Sequence, residues 1–296
     1  MNYRRITAIS LALAVLVFAA CDKEGRKRYP STLPDQKITN IYETTSFKTE
    51  TLNPVTKEWT VVVKKDNPRH LAHEFTWEGD RLESMKDHNY DRFYSFNYDE
   101  YGRVCRIICD SDSDFSRTLS YDAEGLLARC EGSIKNHDGV LVSTQTLIYT
   151  WEDGLLKRIE EETWSHFPGE EEISKNITRT YTWQDGNVVS TTRTKHEGDK
   201  TEEFQYNYEY STAVNPLHGF VYLVIPDRGI IFDYEGIDCL SKNLPSRITS
   251  SPASARYEFS YTPGTPLASF EKHMIGDTSP VLRLTTDYSV ELEYAR

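Results

Sequence analysis

The sequence predicts an all-β protein, a long antiparallel meander of repeated β-hairpins forming a curled single sheet or open barrel, with a short helical and loop insertion near 213–247. Three observations carry this. Aromatic and aliphatic residues alternate with polar ones, as in Tyr94-x-Phe96-x-Tyr98, Leu147-x-Tyr149-x-Trp151 and Phe204-x-Tyr206-x-Tyr208-x-Tyr210, and a period of two places them on one face of a strand. Helical periodicity is almost absent before residue 212. A turn signature also recurs: an aromatic residue, two or three polar residues, a glycine, then an aliphatic residue.

Taken in chain order, Met1–Arg5 is a short positive segment, Ile6–Phe18 an apolar run, and Ala19-Ala20-Cys21 its close. This is the pattern of a secretory signal peptide over 1–20. The apolar run is shorter than the roughly 20 residues a spanning helix needs. A cysteine directly after two alanines resembles the bacterial lipobox. That resemblance implies cleavage before Cys21 and lipidation of its thiol, hence membrane attachment through a lipid anchor. Residues 22–37 carry two prolines and no apolar period, so they read as a flexible tether with a reach of roughly 20–25 Å.

The body, 38–296, reads as one β-meander domain. It holds 27 of the 34 basic residues and 43 of the 46 acidic ones, a net of −16. An acidic body argues against nucleic acid as a partner. Its turns are Trp77-Glu-Gly79, Tyr98-Asp-Glu-Tyr-Gly102, Tyr121-Asp-Ala-Glu-Gly125, Trp151-Glu-Asp-Gly154 and Trp183-Gln-Asp-Gly186. Glycine supplies the positive φ of a tight hairpin. One hairpin cannot bury its own apolar face, so the units stack edge to edge.

The Tyr-Asp-x-x-Gly turns resemble the YD repeats of RHS-type shell proteins, over the turn only. A second resemblance lies at Asn215-Pro216-Leu217-x-Gly219 and Ser241-Lys242-Asn243-Leu244-Pro245, followed by Tyr257-x-Phe259-x-Tyr261. It is to a domain family of unknown function in lipoproteins of Bacteroidota-type bacteria, described as having a porin-like fold. This implies fold and location, and no catalytic residue travels with it. The 213–247 segment is expected to plug the concave, aromatic face of the sheet. Charges that share faces with apolar residues, such as Lys175 and Arg179 with Ile177 and Tyr181, argue against a lipid-facing wall.

No motif for metal, phosphate or nucleophilic chemistry stands out, and no cofactor is expected. Asp110-x-Asp112-x-Asp114 begins like a calcium loop, but Phe115 and Tyr121 stand where that loop needs Gly and Glu. His70 and His73, three apart on a strand, are expected on opposite faces, so a shared metal is not. Cys105, Cys109, Cys130 and Cys239 allow three pairings, and free thiols are the default. Trp77, Trp151 and Trp183 share the repeat position of Tyr98 and Tyr121. Trp59 and Trp164 do not. Trp164, with His166 and Phe167 at a long hairpin tip, and Trp59 are therefore the candidate ligand contacts, against local packing of the loop.

The expected protein is a lipid-anchored, non-enzymatic module of the bacterial cell envelope, placed at the outer membrane. It would bind a glycan or an envelope protein, or serve a structural role. The alternative is a hydrolase of envelope or extracellular polysaccharide, with a site assembled from separate hairpins. A structural subunit would show an exposed apolar patch or an unpaired sheet edge.

Overall fold

The computed structural model describes residues 37–110, 115–136, 138–166, 173–219, 237–252, 255–264, 266–279 and 282–295. Sixteen strands follow one another: β1 (Ile38–Leu52), β2 (Trp59–Glu78), β3 (Arg81–Asp87), β4 (Arg92–Tyr98), β5 (Val104–Asp110), β6 (Phe115–Tyr121), β7 (Leu127–Lys135) and β8 (Leu141–Glu152). The second half continues with β9 (Leu155–Ser165), β10 (Ile173–Gln184), β11 (Asn187–Glu197), β12 (Lys200–Val214), β13 (Asn243–Ser251), β14 (Ala255–Tyr261), β15 (Ser269–Ser279) and β16 (Leu282–Tyr294). Each strand pairs antiparallel with the next, and β16 returns to β1, so the sheet is a closed barrel. The curled sheet or open barrel expected from sequence is corrected here. Closure rests on the pairing from Ile38↔Tyr294 to Thr51↔Leu282, between the two ends of the body.

The expected helical insertion is not seen. Between β12 and β13 the described residues form a turn at 215–219 and a single helical turn, Ile237–Leu240. Residues 220–236 lie outside the described residues, as do Cys21, the tether up to residue 36, and Phe167. The described part contributes to the core: Leu217 and Leu240 belong to the central apolar cluster. The family-like motif is a hydrogen-bonded splice. Asn215 Nδ2 donates to Ser241 O at 2.8 Å, the Val188 amide donates to Ser241 Oγ at 3.1 Å, and the Asn243 amide donates to Asn187 Oδ1 at 2.8 Å. Asn215, Ser241 and Asn187 are all buried, so each motif side chain satisfies backbone that the chain reversal leaves inside.

All the aromatic-glycine turns fall at one end of the barrel, the floor. The turns build themselves from local chemistry. Asp99 Oδ1 accepts from the amides of Tyr101 and Arg103 at 2.9 Å, and Gly102, at φ +75°, completes the reversal. Asp122 does the same for Glu124 and Leu126.

The aromatic that opens each turn has a second partner. Trp77 Nε1 donates to Ile38 O at 2.7 Å, Tyr98 Oη to Leu82 O at 2.8 Å, and Tyr121 Oη to Val104 O at 2.6 Å. Trp151 donates to Leu127 O and Trp183 to Leu156 O, both at 2.7 Å, and Tyr210 donates to Val188 O at 2.5 Å. Tyr261 donates to Pro245 O, and Tyr294 to Leu267 O at 2.8 Å. Every even-numbered strand thus carries, at or near its floor end, a ring that reaches back to a carbonyl near the start of the preceding odd strand. The eight rings pack against the buried cluster, and together they seal the floor.

Burial alternates along the strands, and in a closed barrel the buried face is the inner one. In β9 the inner side carries Ile159, Glu161 and Thr163, and the outer side Arg158, Glu160 and Glu162. The outer wall bears ion pairs: Arg158–Glu160 at 2.6 Å, Arg129–Glu131 at 2.9 Å, Arg69–Glu291 at 3.0 Å and Arg256–Glu258 at 3.3 Å. The face that holds Lys175, Ile177, Arg179 and Tyr181 is the inner one, so the charges read from sequence as a bar to lipid are interior groups. Among the described residues no helix is long and apolar enough to cross a membrane.

The end opposite the floor is a ragged rim. β2 has 20 residues and β3 only 7, and they pair only from His73 to Glu78. Trp59–Leu71 therefore has β1 on one side and no strand on the other among the described residues. Thr60–Asp66 are exposed on both faces. Lys64, Lys65 and Pro68, together with register slips along β1–β2, are the features by which natural sheets blunt such an edge.

Candidate functional site

Above the sealed floor, the inner wall changes character. On one side it is ionic. Arg179 Nη1 meets Glu161 Oε2 at 2.6 Å, with both side chains essentially excluded from water. In the β9–β10 register Ile177 faces Glu161, so Arg179 and Glu161 are diagonal neighbours on one face. Glu161 also accepts from Gln145 Nε2 at 2.8 Å and Thr163 Oγ1 at 3.1 Å, and Gln145 Oε1 accepts from Arg117 Nη2 at 3.0 Å. The last bond spans a strand, from β6 to β8 across β7. It passes over Gly132, where a Cβ would lie in ordinary van der Waals contact, 3.6 Å from both Arg117 and Gln145. Burial works against ionisation of Glu161, but the Arg179 guanidinium and the hydrogen bonds from Arg179 and Gln145 hold its carboxyl below the usual range. A carboxylate locked in this way is a poor proton donor at neutral pH.

The opposite side is aromatic. Phe47 (β1), Phe204 and Tyr206 (β12), Tyr257 (β14) and Tyr288 (β16) are inward by register; Phe47 is exposed and the other four are partly buried. Phe47 and Tyr288 meet edge to face, with centroids 6.5 Å apart. Lys272 Nζ lies 4.6 Å from the Tyr288 ring centre and 5.9 Å from that of Tyr257. Such rings offer flat apolar faces beside a cation.

A third group joins the two where the wall steps down from β2 to β3. His73 faces Ile41, Leu71 faces Tyr42 and His70 faces Glu43, so Ala72 is extra and the strand bulges there. The bulge puts His70 and His73 on the same inner face, which corrects their expected separation. His70 Nε2 lies 2.9 Å from Asn89 Oδ1, and Asn89 Nδ2 donates to Glu43 Oε2 at 3.4 Å. Burial lowers the pKa of His73 against the opposing pull of Asp87 and Glu43, and its Nδ1 has no hydrogen-bond partner. Asp87 caps the next turn, accepting from the amides of Asn89 and Tyr90. Along β1, Glu43 and Phe47 share the inner face about 13 Å apart at ~3.3 Å per residue, so polar and aromatic groups adjoin on one strand. Among the described residues no cluster of three His, Cys, Asp or Glu is placed to hold a metal ion. The four described cysteines are free thiols, three of them buried.

The contacts expected from sequence do not assemble into one site. Trp59 lies at the rim end of β2, its ring 4.1 Å from the Arg283 guanidinium carbon. Trp164 lies on β9, seven strands away around the barrel, and is 37% exposed. His166 follows it, exposed, with its amide bonded to Val142 O. What sequence reasoning missed is the inner wall. Its signals were Gly132, a glycine within a strand and away from any turn, and Arg179 amid an apolar alternation.

No family model and no curated protein matches the chain. Among solved structures it is similar to a porin-like protein from Bacteroides vulgatus ATCC 8482, with TM-score 0.48 and 11% identity over 88% of this chain and 99% of that one. It is also similar to a porin-like protein from Bacteroides uniformis ATCC 8492, with TM-score 0.46 and 11% identity over 89% of this chain and 100% of that one.

Proposed function

We propose that the protein is a lipid-anchored binding module of the bacterial envelope that takes a glycan strand in the mouth of its barrel. The observation that carries this reading is the aromatic wall of Phe47, Tyr257 and Tyr288 above a sealed floor, flanked by Lys272 and by the polar Glu43–His70–Asn89 group. Rings stack on the apolar faces of sugars, and carboxylates, amides and imidazoles pair with their hydroxyls. The anchor would be the thiol of Cys21, and the site of attachment the outer membrane. The barrel itself would stand in water, because a lipid-facing wall presents an apolar band ~25 Å tall and this wall presents ion pairs. Hydrolysis is the weaker reading. It needs a carboxyl held protonated near neutral pH, and the buried carboxyl of Glu161 is instead held below its usual range by Arg179 and Gln145.

Isothermal titration of the full chain against neutral and acidic oligosaccharides tests the proposal. Saturable binding to at least one is expected, weakened tenfold or more by Tyr288→Ala or Phe47→Ala. Silence across the panel, or a ligand indifferent to both substitutions, overturns it. Protease shaving of intact cells reports which side of the membrane the body faces.

A further inference from the structure

A cavity lies at the floor end of the barrel, beside the floor rings Tyr261 and Tyr294. It has a volume of about 510 Å³ and sits between the end of β12 and the loop joining β14 to β15. The size falls within the ~300–1,000 Å³ of small-molecule sites. Three prolines, Pro216, Pro263 and Pro266, stiffen its walls, and Phe259, Tyr261 and Tyr294 supply ring faces.

The lining contains hydroxyls, and four of them, on Ser211, Tyr261, Thr262 and Tyr294, make hydrogen bonds within the protein. Tyr261 donates to Pro245 O and Tyr294 to Leu267 O, as part of the floor ring. Ser211 Oγ donates to Leu244 O at 3.0 Å, and Thr262 Oγ1 is 2.8 Å from Ser269 Oγ. The cavity therefore presents mainly ring faces, proline rings and aliphatic carbons, and no charged side chain is among the described residues that line it. Thr212 and Val214, both exposed, mark its mouth. The amide of Ala295, directly after Tyr294, donates to Lys37 O at 2.8 Å. The 36 residues that precede Lys37 thus join the barrel at the same end as the cavity.

We infer that this cavity binds the acyl chain of a lipid, with the chain's polar head left in water at the mouth. The consequence is specific. Affinity follows chain length and is insensitive to head charge, because the site offers methylene contacts and no ion-pair partner.

The test uses the full chain carrying Cys21→Ser, expressed in the cytoplasm, titrated with octanoate, decanoate and dodecanoate below micelle formation, and with decanol. Expected are one saturable site, a loss of about fourfold per methylene removed, and similar affinities for decanoate and decanol. Ala213→Phe, which fills the cavity, weakens dodecanoate tenfold or more. Thr212→Trp at the exposed mouth does the same without burdening the core, should Ala213→Phe fold poorly. Tyr288→Ala, in the lumen, leaves it unchanged. Absence of saturable binding, a flat response to chain length, or binding untouched by both cavity variants overturns the inference. The lipidated wild-type chain then separates two sources. Occlusion of the site assigns it to the protein's own anchor, and equal affinity assigns it to free envelope lipid, and both outcomes support an acyl site.

Discussion

The two ends of this barrel are built on opposite principles. At the floor one device is used eight times: a ring at or near the floor end of an even strand, hydrogen-bonded to a carbonyl near the start of the preceding odd strand. At the rim the ring ladder is absent and only a local turn device recurs, with Asn53, Asp87 and Asn136 each accepting backbone amides on a side-chain oxygen. Strand lengths range from 7 to 20 residues, and β2 carries an unpaired edge. The β1–β16 pairing that closes the barrel runs from floor to rim, whereas the ring ladder is confined to the floor. The lumen wall between them takes its ligand-like features from the irregularities, namely the Ala72 bulge, Gly132 and the step from β2 to β3.

The sharpest way to break this comparison is to remove one residue type at both ends. Trp183→Ala removes a floor ring and strands the Leu156 carbonyl, and should cost about 3–5 kcal/mol or more. Trp164→Ala, at the exposed rim, should cost about 0.5 kcal/mol or less. Urea denaturation of both variants decides. Comparable losses would mean that the rim is as structural as the floor.

Next in size is the wall between them. Arg179→Ala leaves Glu161 as an uncompensated buried charge and should cost about 3–5 kcal/mol, while Arg179→Met with Glu161→Gln should recover most of that. A double variant as unstable as the single would show that the pair is not the cause. Tyr98→Phe keeps the ring and deletes one floor hydrogen bond, with an expected loss of about 1 kcal/mol.

Legibility in the sequence divides along the same line. Five floor turns announced themselves because aromatic, Asp and Gly sit within a few residues of each other. Tyr210, Tyr261 and Tyr294 hold the same position, but they precede, in turn, a long segment, a loop without the glycine turn, and the last residues of the chain. Closure was not legible, because it depends on Ile38 meeting Tyr294, and no local pattern encodes that. The ionic wall was half legible. Arg179 stood out on an apolar face, but only the β9–β10 register supplies Glu161. Trp59 and Trp164 drew attention by breaking the repeat, and they do so because they lie toward the rim, outside the ring ladder of the floor.

Titration separates the regions again. Glu161 has a lowered folded pKa, so its contribution is present above the unfolded value near 4.5 and is lost as pH falls. Burial pushes Tyr294 up to about 12. Its contribution is complete below the unfolded value near 10 and disappears as pH climbs through that window. Burial likewise raises Tyr121. Alkaline unfolding should therefore coincide with phenolate absorbance, and Tyr294→Phe should blunt the alkaline loss while leaving the acid limb unchanged. Phenol ionisation complete well before unfolding would contradict a sealed floor.

The smallest expected effect is the most direct probe of the rim. Val62 is 54% exposed and sits at a register slip between Val61 and Val63. Its side chain gives up little water-excluded area, and the slip already spoils the edge for strand addition. Val62→Lys should change stability by no more than about 0.5 kcal/mol and leave the chain's sedimentation behaviour unaltered. A larger loss of stability would mean that the β1–β2 hairpin packs against another part of the chain. A shift from a larger assembly to monomer would mean that the edge is a contact surface and that Lys64, Lys65 and Pro68 do not blunt it.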